Sequence, residues 1–230
     1  MQIIWMFLTY LAMLAFHLVA EWLPLNGMTA NAVNKEYQAS LLPADFGFII
    51  WGVICLALFI SMISVASGKT QVSPRWVPTF ITSNFLSIFF TISWHYNWIF
   101  LSVILLFLWL IAIYRLYQEL DWRKKWVRFP ISLYLGGLSV SLLIVFDIYL
   151  AKIHAEMGNA FPILLLLIGF LAAFTLRYRE QNLAYPLAVI WLYVSIFFGQ
   201  LRENTGIAYV AVLLAILLVC TYFFRRPKVK

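Results

Sequence analysis

The chain has 230 residues, of which 64% are hydrophobic and only 11% charged, with a formal net charge of +7. A soluble domain carries roughly 25% charged residues, so this chain has too little polar surface to face water on all sides. A water-soluble globular domain is therefore excluded, and residues 1–230 read as one integral membrane unit, an all-α polytopic helical bundle.

A spanning helix needs about 20 mostly apolar residues. The first such run is Ile3–Leu23. No Lys or Arg precedes it and no small-residue cleavage site follows, so it is expected to be an uncleaved span rather than a secretory signal. His17 and Glu21 stand four apart on it and share one helix face. The segment Pro24–Asp45 is the longest connection; its end, Leu41–Asp45, is apolar enough to fold back over the bundle mouth as a lid.

The next spans are Phe46–Ala66, Val77–Trp94, Trp98–Gln118 and Phe129–Leu150, followed by Ala160–Leu176, Leu183–Gly199 and Gly206–Phe224. The expected total is thus about eight. The sixth and seventh are short and must run upright or be shielded by neighbours. Pro78, Pro130, Pro162 and Pro186 lie just inside their spans, where the first backbone N–H groups lack helical partners anyway. Gly136, Gly137 and Ser141 on the fifth span, with Gly169 and Ala173 on the sixth, permit close helix approach. They suit packing seams and are compatible with a homodimer.

Alternate connections divide the 16 basic residues unequally. Lys69, Arg75, Arg115, Arg123, Lys124, Lys125, Arg128, Arg177, Arg179, Arg225, Arg226, Lys228 and Lys230 fall on one side; only Lys35, Lys152 and Arg202 fall on the other. The positive-inside rule then predicts both termini in the cytoplasm, and the simple pattern without a targeting peptide suits a bacterial inner membrane. The same topology makes Arg123–Lys125, flanked by Trp122 and Trp126, a lipid-surface segment and not a nucleic-acid patch. Trp5, Trp22, Trp76, Trp94, Trp98, Trp122 and Trp126 near span ends fit an aromatic belt, whereas Trp51, Trp109 and Trp191 lie within spans as candidates for lining a pocket.

No acidic residue or lysine occupies mid-span, which argues against a pump built on a buried carboxylate relay. His17, Glu21 and Asp147 are expected near the outer surface, with Asp45 and His95 on that side, as a polar vestibule or as groups reaching interfacial water. No catalytic motif is present, the three histidines lack metal-ligand spacing, and Cys55 and Cys220 lack the spacing of a redox or metal pair. Val219–Arg225 satisfies the loose cholesterol-recognition pattern, which span ends of this composition often match by chance.

Pro43–Ile54, which contains Phe46, Phe48 and Trp51, resembles the second-helix signature of the tryptophan-rich sensory proteins, relatives of the translocator protein or peripheral benzodiazepine receptor. Trp94-His95-Tyr96, Phe129–Gly136 and Tyr185-Pro186 with Ile190-Trp191 follow in the family's order, so the resemblance spans the chain. It implies a five-helix core over residues 1–150 with a pocket beneath the first loop, plus three added helices over 151–230. It further implies a hydrophobic, tetrapyrrole-like or lipid ligand, and no firmly assigned cofactor. Trp51 would line the pocket, together with Pro43, Phe46, Phe48, Cys55, Asn84, Ser87, Trp94 and Tyr134. Cys55 stands where the family has Tyr, Gly137 where it has Trp, Val145 where it has Asn, and Ser87 where it has Asn, with Asn84 one turn away.

These features predict a ligand-binding or sensory membrane protein. The alternatives are a permease for a small apolar solute, for which broken helices and inverted repeats would speak, and a surface enzyme using His17, Glu21 and Asp147.

Overall fold

The computed structural model describes residues 1–23, 25–37, 39–121, 123–154 and 158–223. Pro24, Trp122, Phe224 and the tail cations from Arg225 onward lie outside the described residues, and with them the end of the cholesterol-type pattern; so does the side chain of Lys35. The helices are α1 (Gln2–Trp22), a short α2 (Ala30–Glu36), α3 (Ile49–Ala66), α4 (Trp76–His95), α5 (Ile99–Gln118), α6 (Lys125–Lys152), α7 (Ala160–Glu180), α8 (Ala184–Gln200) and α9 (Thr205–Phe223). Seven spans are long and apolar enough to cross a membrane, and α8 is a shorter eighth.

Two boundaries differ from expectation. The sixth span is not short: α7 runs on through Arg177–Glu180, 21 residues in all. Its charged last turn leaves the hydrocarbon without ending the hydrogen-bonded helix, which stops at Gln181 in the left-handed conformation. α8 is short at 17 residues, about 26 Å of helix against a hydrocarbon core of about 30 Å. It packs against α6, α7 and α9 at once, so neighbours cover it.

α6 also begins earlier than expected, so Pro130 is its sixth residue and lies inside the helix. Proline has no N–H for the carbonyl four residues back, which is that of Trp126. The single hydroxyl proton of Ser61 on α3 is shared between that carbonyl, at 3.0 Å, and the Ala57 carbonyl of its own helix, at 2.9 Å, and so replaces part of the lost bond from outside α6. Ser61→Ala is expected to cost about 0.5–1.5 kcal/mol, the range for the loss of one part-buried hydrogen bond. Thermal unfolding in detergent, compared with Ser61→Thr, checks this.

Five helices form a ring. α1 packs on α4, α4 on α5, α5 on α6 and α6 on α3, and a light contact between α3 and α1 closes it. α8 lies on the outer side of α6 with α9 packed on it, and α7 touches α6, α8 and α9. Gly136 lets α6 and α8 meet: a Cβ there would stand 2.6 Å from the Tyr185 carbonyl oxygen. Leu8, Leu56, Phe89, Phe107, Leu171 and Leu213 are exposed on the outer sides, as lipid-facing helices require.

A polar knot ties the ring to the added helices at the basic end. Tyr117 of α5 donates its hydroxyl proton to Glu180 of α7. Arg128 of α6 reaches both Glu180 at 2.9 Å and the Tyr117 oxygen at 2.7 Å. Buried Asn182 donates to the Tyr117 oxygen at 2.8 Å, accepts from Ser132 at 2.7 Å, and caps the first N–H groups of α8. Each member has its partners, which is the condition for a buried polar network to stabilise.

Candidate functional site

The ring interior is built around aromatic side chains. Trp51 of α3 and Trp109 of α5 lie nearly parallel with centroids 6.4 Å apart. Tyr134 of α6 stands edge-on to both, at 6.1 Å from Trp51 and 5.6 Å from Trp109. Phe90 of α4 extends the cluster from Trp109 to Trp94, at 6.0 and 5.9 Å. Four helices thus contribute rings, two pairs near-parallel and the others tilted or edge-on. Gly137 makes room for this arrangement: its missing Cβ would sit 3.1 Å from the Ile54 side chain and 3.7 Å from the Trp51 ring.

A polar seam joins α1 to α4. His17 bonds Ser87 at 2.7 Å and Thr91 at 3.2 Å through its two ring nitrogens. Asn84 donates to Thr9 at 3.2 Å. Ser83, Asn84, Ser87 and Thr91 are all buried and recur every three or four residues on α4. Below them Tyr10, fully buried, donates its hydroxyl to the Cys55 carbonyl oxygen at 2.5 Å across the light α1–α3 seam. Phe7 and Phe59 meet edge-on at the same seam, 6.2 Å apart.

The first loop closes this end of the ring. Thr29 caps α2 by accepting the Ala32 N–H at 3.2 Å, and Val33 and Leu41 are fully buried beneath the loop. Asp147 of α6 accepts the Leu41 N–H at 2.8 Å. Lys152 donates to the carbonyl and side-chain oxygens of Asn97 at 2.6 and 3.1 Å. Asn97 in turn accepts from Tyr37 and donates to Glu36, both at 3.0 Å. Buried His95 meets the Met28 carbonyl oxygen at 2.8 Å.

Pro43–Phe48 takes a different course from the rest of the loop. Ala44 donates its N–H to the Ser195 carbonyl at 2.8 Å, and Gln200 donates to the Leu42 carbonyl at 3.1 Å. Trp191 donates to the Gly47 carbonyl at 3.1 Å, while Phe46 packs edge-on against Trp191 and Phe198 at 5.8 and 5.7 Å. The entrance to α3 is therefore seated on the added helix α8.

The sequence-derived site residues fall into separate groups. Trp51, Trp94 and Tyr134 share the aromatic cluster, and Cys55 lies one turn along α3. Asn84 and Ser87 are engaged with α1. Pro43 and Phe46 border α8, and Phe48 is exposed. Of the vestibule residues, His17 faces α4, Asp147 holds the loop, and Glu21 is exposed at the end of α1. His17 and Asp147 engage different partners, and no hydrogen bond among the described residues joins the three. Tyr10 was missed, although it stands seven residues before His17 and hence on the same face of α1.

A family model described as TSPO-like protein matches residues 2–224. No curated protein and no solved structure matches the chain.

Proposed function

The chain belongs to the TSPO-like protein family, and from that premise we propose that this multi-pass membrane protein binds a hydrophobic small molecule inside the five-helix ring, beneath the first loop, in a sensory role. The observation that supports this most is the Trp51–Trp109–Tyr134 cluster contributed by α3, α5 and α6, in the same ring as the hydrogen-bonded His17, Ser87 and Thr91 of the α1–α4 seam. Apolar walls with a few convergent polar groups are what small-molecule sites require. A flat, rigid ligand gains stacking on the indoles and one oriented hydrogen bond from the polar side. A tetrapyrrole and a lipid both meet that description in part.

The seam between α1 and α3 supplies a route from the bilayer. It is held by the Tyr10–Cys55 hydrogen bond and the Phe7–Phe59 contact, and by little else. Seating of the α3 entrance on α8 gives a path by which occupancy is felt in the added helices. Both chain ends on the cytoplasmic side of a bacterial inner membrane fit the gathering of basic residues at one end of the bundle.

The test is a thermal-shift screen of the full chain in detergent with protoporphyrin IX, a sterol and phospholipids. At least one is expected to raise the melting temperature saturably. Trp51→Ala is expected to weaken that ligand by on the order of tenfold, about 1.4 kcal/mol, while the bundle still folds. Unchanged affinity in Trp51→Ala sinks the proposed site. Movement of the same compound across liposomes would replace sensing with transport.

A further inference from the structure

A second apolar site lies outside the ring, where the added helices meet it. α5, α6, α7 and α8 enclose a groove of about 490 Å³ that opens sideways. Its walls are Ile111 and Tyr114 of α5, Ser139 of α6, Ala172 and Thr175 of α7, and Tyr185 of α8, with leucines between them. In a membrane this groove faces hydrocarbon. A void there would strip its lining of dispersion contacts, so something apolar must fill it.

Charge at the mouth identifies the occupant. Arg115 lies one turn beyond Ile111 on the same face of α5, and Arg179 one turn beyond Thr175 on the same face of α7. Both are exposed and stand in the last turns of their helices, at the basic end of the bundle. Nearby carboxylates are already committed, Glu180 to Arg128 and Tyr117, and Glu119 to Ser73 at 2.5 Å. The α5 and α7 walls of the groove thus each carry an arginine one turn past the lining residues, a group suited to phosphate. Docking a second copy of the chain by a two-fold axis through this groove would bring four such arginines together, which electrostatics opposes.

We infer that the groove holds an acyl chain of an anionic phospholipid, with its headgroup phosphate bound between Arg115 and Arg179. The site is independent of the ring interior, and it would make the junction between ring and added helices sensitive to the lipid composition of that leaflet.

Native mass spectrometry of the full chain in a non-ionic detergent tests this, with phosphatidylglycerol and phosphatidylcholine of identical acyl chains as probes. Wild type is expected to retain phosphatidylglycerol about thirtyfold better, the order expected for two arginines at a lipid surface. Arg115→Gln with Arg179→Gln should bring the preference to within about twofold. Ala172→Phe, which fills an open, lipid-facing space, should abolish retention of both lipids. Equal retention by wild type, an unchanged preference in the double variant, or unaltered binding in Ala172→Phe would each overturn the inference. So would a lipid-free dimer that Ala172→Phe dissociates, since a second copy would then be the occupant.

Discussion

Gly199→Ala should lower the melting temperature of the purified protein by about 5–10 °C, corresponding to about 2–3 kcal/mol for overpacking in a chain of this size. A Cβ at Gly199 would strike the Leu42 carbonyl oxygen and stand 2.8 Å from both the Ala44 nitrogen and the Pro43 carbonyl carbon. All three are backbone atoms, so no side-chain rotation relieves the clash. Either α8 or the Leu42–Ala44 segment must move, and the Ala44–Ser195 and Gln200–Leu42 hydrogen bonds go with it. Gly52→Ala is the control. That glycine has nothing within 4 Å of its added Cβ, so the substitution gains helix propensity and costs no packing. Equal melting temperatures for Gly199→Ala and wild type would mean that the α3 entrance is not seated on α8.

Asp147→Ala should loosen the first loop. Leu41 is fully buried, and its N–H donates to the Asp147 carboxylate at 2.8 Å. Removing the acceptor strands that donor in an apolar surrounding, at about 1–3 kcal/mol. Asp147→Asn keeps an acceptor oxygen and should cost much less. Hydrogen exchange at the Leu41 amide reads the difference directly: protection should fall by about tenfold or more in Asp147→Ala and by far less in Asp147→Asn. Equal protection in the two variants would show that the loop is held by its other contacts, those of Lys152, Asn97 and His95.

The spans were legible because hydrocarbon thickness fixes their length and composition, and all eight expected apolar runs are helices. Their arrangement was less so. In lipid the outward face of a helix is as apolar as its packed face, so the periodicity that marks a core face in a soluble helix is blurred. On α4 the α1-facing side is polar, with Asn84, Ser87 and Thr91 meeting α1, but that spacing was not among the expectations. The length of α7 was misjudged because Arg177 and Arg179 look like the end of an apolar run, although long basic side chains let a helix continue past the hydrocarbon. α2 was announced only by Thr29 as an N-cap, inside what read as an unbroken loop. The seating of Pro43–Phe48 on α8 left a fainter trace still: Gly199 at the end of a span reads as a helix terminus, and nothing local shows that its missing Cβ admits another backbone.

Within the candidate site, Trp51 and Tyr134 were legible through the family signature, and Trp109 through its place in mid-span. That these three rings converge was not, because it depends on the order of helices around the ring and on Gly137 leaving space beneath the indole.

The central claim is that a hydrophobic ligand is received among those rings. Its most direct test is tryptophan-fluorescence quenching of the detergent-purified full chain by protoporphyrin IX, with Trp51→Phe titrated alongside. Saturable quenching that is weakened or lost in Trp51→Phe is the expected result and would locate the ligand at the α3–α5–α6 cluster. Quenching that does not saturate, or that saturates identically in the variant, would contradict it.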